Sequence, residues 1–395
     1  MSELLEVDLQ QLIAEGVDHH MAHMLRTIAE MWLMTEVREK AGPKYNRDEC
    51  KTCARWGSQP SYAYILGQRI SIDKPRLRSA DKSTELKLDS AELLSNPETL
   101  NAKAGEKLMK GLSSRNYAET VDGFLREKGV GRQSISQKGI EYMAKKLEEF
   151  QQRHIGNLDL VCILIDGIHI DGTVHVVALG IDVYGKKHIL GMVPGETEDH
   201  IICTKLLNNL LERGLTEVGG LLFVIDGGKG LRKAIHKLYG DRVAVQRCLI
   251  HKIRNLESHT PKHMHQELRH KVQAAFNMES LKDAESAFNE IRRELSMVRD
   301  SAVTSLLEGQ KELLTLHRLG VSGTLRKSLC TTNSIESIFS TARYYSRNVK
   351  RWRGEKQAQR WLATGLMEAE KKLQPLKGFT RLKDLQKALQ KLVEV

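Results

Sequence analysis

Two stretches of the chain deliver an aspartate in the same way. "LVCILIDGIH" presents Asp166 and "LLFVIDGGKG" presents Asp226, each after an almost wholly apolar run and directly before a glycine. An Asp after a strand often does no more than start a turn. Two such strands carry a further implication, because open α/β sheets place ligand sites at the carboxyl ends of their strands. If the two are neighbours, Asp166 and Asp226 face each other, and carboxylates that close repel unless a proton or a cation intervenes. Hard oxygen donors with open coordination positions select Mg²⁺ or Mn²⁺. Two such ions, roughly 3.5 to 4 Å apart, serve displacement at a phosphodiester. A third carboxylate would complete the cage, and "TTNSIESIF" offers Glu336 on the first turn of a helix, with Asn333 as its expected cap and Ile335, Ile338 and Phe339 on the buried face. The plainer role for Glu336 is that of an acidic partner to the helix dipole.

Other candidates are weaker. Cys248 and His251 form a C-x-x-H; zinc there would need two more ligands, for which His259, His263 and His265 are available, and the alternative is a polar brace beside the acids. Cys50 and Cys53 form one C-x-x-C, half a zinc site. "GGKG" at 227–230 lacks the spacing and the following Ser or Thr of a phosphate loop, so no ATP requirement follows. Asp159, Asp171 and Asp182 lie at the start of the first strand and around the hairpin, where structural roles are expected.

The elements that must position these groups can be read from periodicity. Strands are predicted at 158–165, about 174–184, about 187–193, 221–226 and 242–248, with helices over 199–213 and 229–239. Hairpin strands followed by strands alternating with helices imply a mixed sheet covered on both faces. From 250 to about 319 strand signals vanish and charged, Ala- and Leu-rich helices take over. A loop at 320–333 then feeds the helix bearing Glu336, and helical character continues to the end. At the other end, Leu12, Ile13, His20, Met24, Ile28 and Met31 or Trp32 recur at helical spacing and are expected to pack on another element or another subunit. "SYAYILGQRISIDKPRLR" reads as a small hairpin turning at Gly67-Gln68, its second strand stopped by Pro75 and carrying Arg69, Lys74, Arg76 and Arg78. Residues 83–153 read as helical. Within them, Ser113 or Ser114 as a cap, a turn at Gly129-Val130-Gly131 and a helix from about Gln133 have the shape of a helix-turn-helix, whose candidate DNA readers are Arg132, Gln133, Ser134 and Lys138.

Charge is distributed unevenly. The 395 residues carry a formal +11, and Thr341 to Val395 alone has 14 basic against 5 acidic residues, whereas Leu158 to Gly240 has 8 against 10. A phosphate-rich partner is expected at the basic end. Between 343 and 360 lie Arg343, Arg347, Lys350, Arg351, Arg353, Lys356 and Arg360 against only Glu355, with Trp352 and Trp361 interleaved. Cations of this kind neutralise phosphates, and indoles can stack on unpaired bases or anchor the core. The run begins seven residues after Glu336, so a duplex held there would pass the acidic site. The start of the chain lacks the pattern of a signal peptide, no run of eighteen apolar residues occurs, and six cysteines in so long a chain make no disulfide framework. A cytosolic protein is expected, with no membrane partner.

The joint pattern resembles the bacterial Mutator-type insertion-sequence transposases, a DDE family with an RNase H-like catalytic domain. The likeness is carried by "LIDGIHIDG", "LFVIDGGKGLRKAI", "VQRCLIHKIRN", "TTNSIES" and "RNVKRWRGEKQAQRWLATGLMEAEKKL", in the family's order, and more weakly by "RWGSQPSY" and the helix-turn-helix segment. It implies that Asp166, Asp226 and Glu336 form a catalytic triad binding two Mg²⁺ or Mn²⁺ ions, that Cys248 and His251 are the family's C-x-x-H, and that the step of 110 positions from Asp226 to Glu336 holds an all-helical insertion domain. The implied organisation is an N-terminal helical segment (1–54), a β-hairpin (55–82), a DNA-binding helix-turn-helix domain (83–153), the first part of the core (154–249), the insertion (250–325), and core completion with basic helices (326–395). The implied activity is binding of terminal inverted repeats, nicking of DNA and strand transfer into target DNA, by a homodimer associated with the bacterial nucleoid. A nuclease or resolvase that does not join strands, and a DNA-binding regulator that keeps only the fold, are the alternative readings.

Overall fold

The computed structural model describes residues 17–43, 53–65, 68–96, 132–195, 200–347, 349 and 351–393. The chain divides into two units, residues 1–145 and 146–395.

In the first unit helix α1 (Val17–Ala41) lies on a sheet of β1 (Cys53–Ile65), β2 (Gln68–Ser79) and the two-residue β3 (Glu85–Leu86), and a short helix α2 (Asp89–Leu94) follows. The face of α1 that packs is not the expected one. Leu25, Ala29, Leu33, Val37 and Ala41 join Ala63, Ile70, Ile72 and Leu77 in the core, while Met24, Ile28, Met31 and Trp32 are exposed. The helix is apolar on both sides, so periodicity alone admits two solutions; the alanine-bearing side lets helix and sheet approach closely. Leu12 and Ile13 lie outside the described residues.

Pro75 does not stop β2. It pairs with Ser58, at the edge of the irregularity between Arg55 and Ser58, and β3 reaches only Leu77 and Arg78. Where the ladder is broken on one side and unpaired on the other, a missing N–H costs little. Several hairpin cations are engaged internally: Arg76 pairs with Glu85, and the Arg69 and Arg78 guanidiniums stack 3.5 and 4.6 Å from the Tyr62 and Trp56 ring centres. Glu36 of α1 accepts hydrogen bonds from the Asp89 and Ser90 amides (2.8 and 2.9 Å) and from the Ser90 hydroxyl, which anchors α2.

Helix α3 (Arg132–Gln152) spans the division between the units. Arg132, Gln133, Ser134 and Lys138 fall in its first two turns, and its start agrees with the helix predicted from about Gln133. Their side chains, and the cap and turn at 113–131, lie outside the described residues.

The second unit is built on a five-stranded sheet of order β6-β5-β4-β7-β8, comprising β4 (Leu160–Ile170), β5 (Thr173–Asp182), β6 (Lys187–Gly195), β7 (Leu222–Ile225) and β8 (Ala244–Arg247). β6, β5 and β4 are antiparallel, and β4, β7 and β8 parallel, which is the predicted mixed sheet. Both faces are covered, so β4 and β7 are apolar at every position up to their aspartates. Ile163, Ile165, Phe223 and Ile225 pack under α4 (His200–Glu212) and α5 (Lys229–Tyr239). Cys162, Leu164, Leu222 and Val224 join the opposite core, shared with α6 (Leu249–Ser258), α7 (His265–Asn277), α8 (Leu281–Ser296), α9 (Asp300–Leu313) and the short α10 (Thr315–Arg318). The helices after β8 therefore share one continuous core with the sheet.

A short helix α11 (Gly323–Leu329) occupies part of the segment read as a loop. Helices α12 (Asn333–Ser346), α13 (Glu355–Glu370) and α14 (Leu382–Val393) complete the unit, α12 against β4 and α13 against β6. Among the described residues no helix is long and apolar enough to cross a membrane.

Candidate functional site

β4 does not end on Asp166. The strand runs on to Ile170, because its hairpin partner β5 continues alongside and pairs Asp166 with Val177. What ends at Asp166 is the other ladder: the last parallel pair between β4 and β7 is Ile165 with Ile225, so Asp166 and Asp226 are the residues immediately beyond it on adjacent strands. Strand spacing alone brings their backbones to roughly 5 Å. Asp226 then turns the chain into α5, accepting the Gly228 amide at 2.7 Å, and Asp166 accepts the Gly167 amide at 2.9 Å.

Glu336 arrives from the first turn of α12, whose inner face buries Ile335, Ile338 and Phe339 as expected. The cap position is Thr332, not Asn333; Asn333 is the first helical residue, and its amide donates to the Thr331 hydroxyl at 3.4 Å. Thr332 is fully buried, and its hydroxyl reaches Glu336 Oε1 at 3.4 Å.

His251, on the first turn of α6, enters the same space. Donor atoms of Asp166, His251 and Glu336 all lie within 4.8 Å of one another, the one such group of three among the described residues. Asp226 lies outside that closest group but near enough for its charge to act on both Asp166 and His251. His259, His263 and His265 do not join it.

Cys248 fixes this arrangement from behind. Its amide donates to the Ile225 carbonyl at 2.7 Å, just before Asp226, and its buried Sγ accepts from the Thr332 amide at 3.4 Å. The next amide, Leu249, donates to the Cys330 carbonyl at 2.8 Å. The ends of β7, β8 and α6 and the start of α12 are thus tied at one point. The electrostatics follow from burial and crowding of charge. Burial pushes the Asp166 carboxyl up to about 6; His251 opposes the shift, while Asp226 and Glu336 add to it. The hydrogen bond to Cys248 raises His251 to about 9 against the effect of burial, with Cys248, Asp166 and Asp226 contributing charge. Burial alone would raise the Cys248 thiol, but the bonds to His251 and Thr332 bring it below its ordinary value.

The chain matches a family model described as "Transposase, Mutator family" over residues 1–375. The chain belongs to this transposase family. This Mutator-family chain is 24% identical over 375 residues to the transposase for insertion sequence element IS256 in transposon Tn4001 of Staphylococcus aureus, covering 91% of this chain and 93% of that one. It is 28% identical over 175 residues to the transposase for insertion sequence element IST2 of Acidithiobacillus ferrooxidans, covering 44% and 58%, and 29% identical over 188 residues to that for IS905 of Lactococcus lactis, covering 48% and 46%.

The basic run of the transposase is only partly free. Arg343, Arg351, Arg353 and Lys356 are exposed, and Arg360 is half-buried. The exposed Arg347 folds back onto Tyr344, its guanidinium 3.7 Å from the ring centre. Trp352 packs partly buried against the core, which leaves less of the indole for a base, and Trp361 is also half-buried. Lys350 lies outside the described residues. Asp159 accepts from Gln386 at 2.8 Å, Asp171 sits in a turn with φ of 52°, and Asp182 receives the Tyr184 and Lys186 amides and the His188 ring, all structural roles as expected.

Two residues escaped the sequence reading. Thr332 links Cys248 to Glu336, and Arg247 braces the loop after Asp226. The run "VQRC" carried a signal for Arg247, since a cation ending an apolar strand needs a buried partner, but which partner is a long-range fact.

Proposed function

We propose that this transposase binds the terminal inverted repeats of an insertion sequence, nicks DNA at their ends, and joins the liberated 3′-hydroxyl to a phosphodiester of target DNA without a covalent protein intermediate. In this reading Asp166, Asp226 and Glu336 are the catalytic acids of an RNase H-like, DDE-type site. The observation that carries it is the convergence of Asp166, His251 and Glu336 within 4.8 Å from three segments remote in sequence, with Asp226 at the end of the adjoining strand.

The donor set fits divalent cations: carboxylate oxygens dominate, and burial, with smaller contributions from the Asp226 and Glu336 charges, makes an uncompensated Asp166 carboxylate costly, a cost that a bound cation would offset. Asp166, Asp226 and Glu336 would hold two Mg²⁺ or Mn²⁺ ions, which supply activation of the attacking oxygen and stabilisation of the departing one. His251, protonated next to the acids, balances their charge and stands where it can donate a proton to a phosphate oxygen or a leaving group. Cys248 and Thr332 position His251 and Glu336. Exposed Arg343, Arg351, Arg353 and Lys356 neutralise the phosphates of the duplex beside α12, and Arg132, Gln133, Ser134 and Lys138 read bases in the major groove. No nucleotide cofactor is required, and the working form is a homodimer in the bacterial cytoplasm.

The test is purified protein with DNA carrying the element's ends and Mg²⁺. Nicked and joined products are expected; cleavage without joining favours a nuclease or resolvase, and binding with neither favours a regulator.

A further inference from the structure

Helix α1 carries apolar residues on the side it turns away from its own unit. Met21, Met24, Ile28, Met31, Trp32 and Met34 are 44 to 61% exposed, although the opposite side of the same helix is the core-forming one. A helix lying on a sheet ordinarily presents charge to water on its outer face.

The outer residues are also ordered. Met21, Met24, Ile28, Met31 and Thr35 follow alternating steps of three and four, the spacing of a coiled-coil seam, with Trp32 alongside. The hydroxyls of Thr27 and Thr35 donate to the carbonyls of His23 and Met31 in their own helix. Arg26, Glu30, Glu36 and Lys40 are engaged with one another or with Asp73 and Asp89 of the same unit. What remains is a stripe of polarizable, adaptable side chains, three of them methionine, suited to a close helix partner.

We propose that this face of α1 is the self-association surface of the protein, pairing with α1 of a second copy. Two features select a second copy over a different partner. From Met21 to Thr35 the seam carries no charge, and the exposed Arg38 and Glu39 that follow it are of opposite sign, so the same patch can meet itself across a two-fold axis. Its five large side chains expose on the order of 550 Å², the upper range of what a monomer leaves bare and about two thirds of the roughly 800 Å² that each partner gives to a stable interface. The inference rests on the reading of the chain as a homodimer and says where that dimer is made.

The test uses the full chain in analytical ultracentrifugation over a range of concentrations, comparing wild type, the double variant Ile28→Glu with Met31→Glu, and Met297→Glu as an exposed control elsewhere. The wild type and the control are expected to dimerise, and the double variant to raise the dimer dissociation constant at least about 100-fold, since each seam glutamate would be desolvated against its copy. Ile28 lies at the middle of the seam and meets its own copy in either helix orientation. Ile28→Cys should therefore cross-link on oxidation where the wild type does not, a readout that holds even if the double variant fails to fold. A monomeric wild type would overturn both the dimer reading and this inference. A dimeric wild type whose double variant stays dimeric, or whose Ile28→Cys variant fails to cross-link, would overturn the inference alone.

Discussion

Arg247 Nη2 donates to the carbonyl oxygen of Gly227 at 2.8 Å, and Gly227 is the residue directly after Asp226. The Arg247 side chain is 3% exposed and pairs with Glu312 of α9 at 3.4 Å, while Arg232 of α5 pairs with the same carboxylate. The guanidinium is held between two glycines, Gly227 (φ 96°) and Gly309, at either of which a β-carbon would collide with it. One buried cation thus connects the loop bearing a proposed catalytic acid to a helix of the segment that follows β8.

Disturbing that connection at a distance should therefore reach the site. Gly309→Ala, on the far side of Arg247, is expected to lower end cleavage by about tenfold to a hundredfold while end-DNA binding stays within about twofold, because a displacement of the order of 1 Å in a reacting group has costs of this size. In an Arg247→Met background the same Gly309→Ala change should have much less effect, as there is no guanidinium to displace. A double-mutant cycle measures this coupling, and simple additivity would refute it.

The first unit has its own titration signature. Burial alone would raise Glu36, but Lys40, Ser90 and the Asp89 amide hold it down at about 2. A depressed carboxylate contributes stability that is present above its unfolded value near 4.5 and is lost as pH falls through about 2. Glu36→Gln is expected to cost about 1 to 2 kcal/mol at pH 7, with the gap to wild type closing between pH 4.5 and 2. Amide hydrogen exchange over residues 17–41 reads this directly; a gap that persists at pH 2 would assign the effect to packing instead.

The sequence made much of this arrangement legible, for identifiable reasons. The apolar runs of β4 and β7 reveal their burial on both faces, and the paired Asp-Gly endings place Asp166 and Asp226 on neighbouring strands. That β4 continues past Asp166 depends on β5 remaining at its side, which no local pattern encodes. The same limit explains Pro75, tolerated because a ladder irregularity lies opposite it, and α1, whose two apolar sides compete equally until the sheet selects the one with alanines. Thr332 was hidden by Asn333, the better capping residue by type. Arg247 was hidden because its partners, Gly227, Gly309 and Glu312, meet only in three dimensions.

The exposed cations after α12 lead to a separate expectation. Reversing Arg351, Arg353 and Lys356 to Glu should weaken DNA binding uniformly across sequences and reduce the slope of log K against log salt by about 3, one unit for each phosphate no longer neutralised. Electrophoretic mobility shifts at several salt concentrations check this. An unchanged slope would mean that these side chains do not touch the backbone.

The central claim is that three carboxylates from distant segments act together on a phosphodiester, and it is tested most directly at Asp226. In a reaction with end-containing DNA and Mg²⁺, Asp226→Asn is expected to abolish nicking and joining while end binding remains within a few-fold of wild type. Nicking by Asp226→Asn at the wild-type rate would contradict the account.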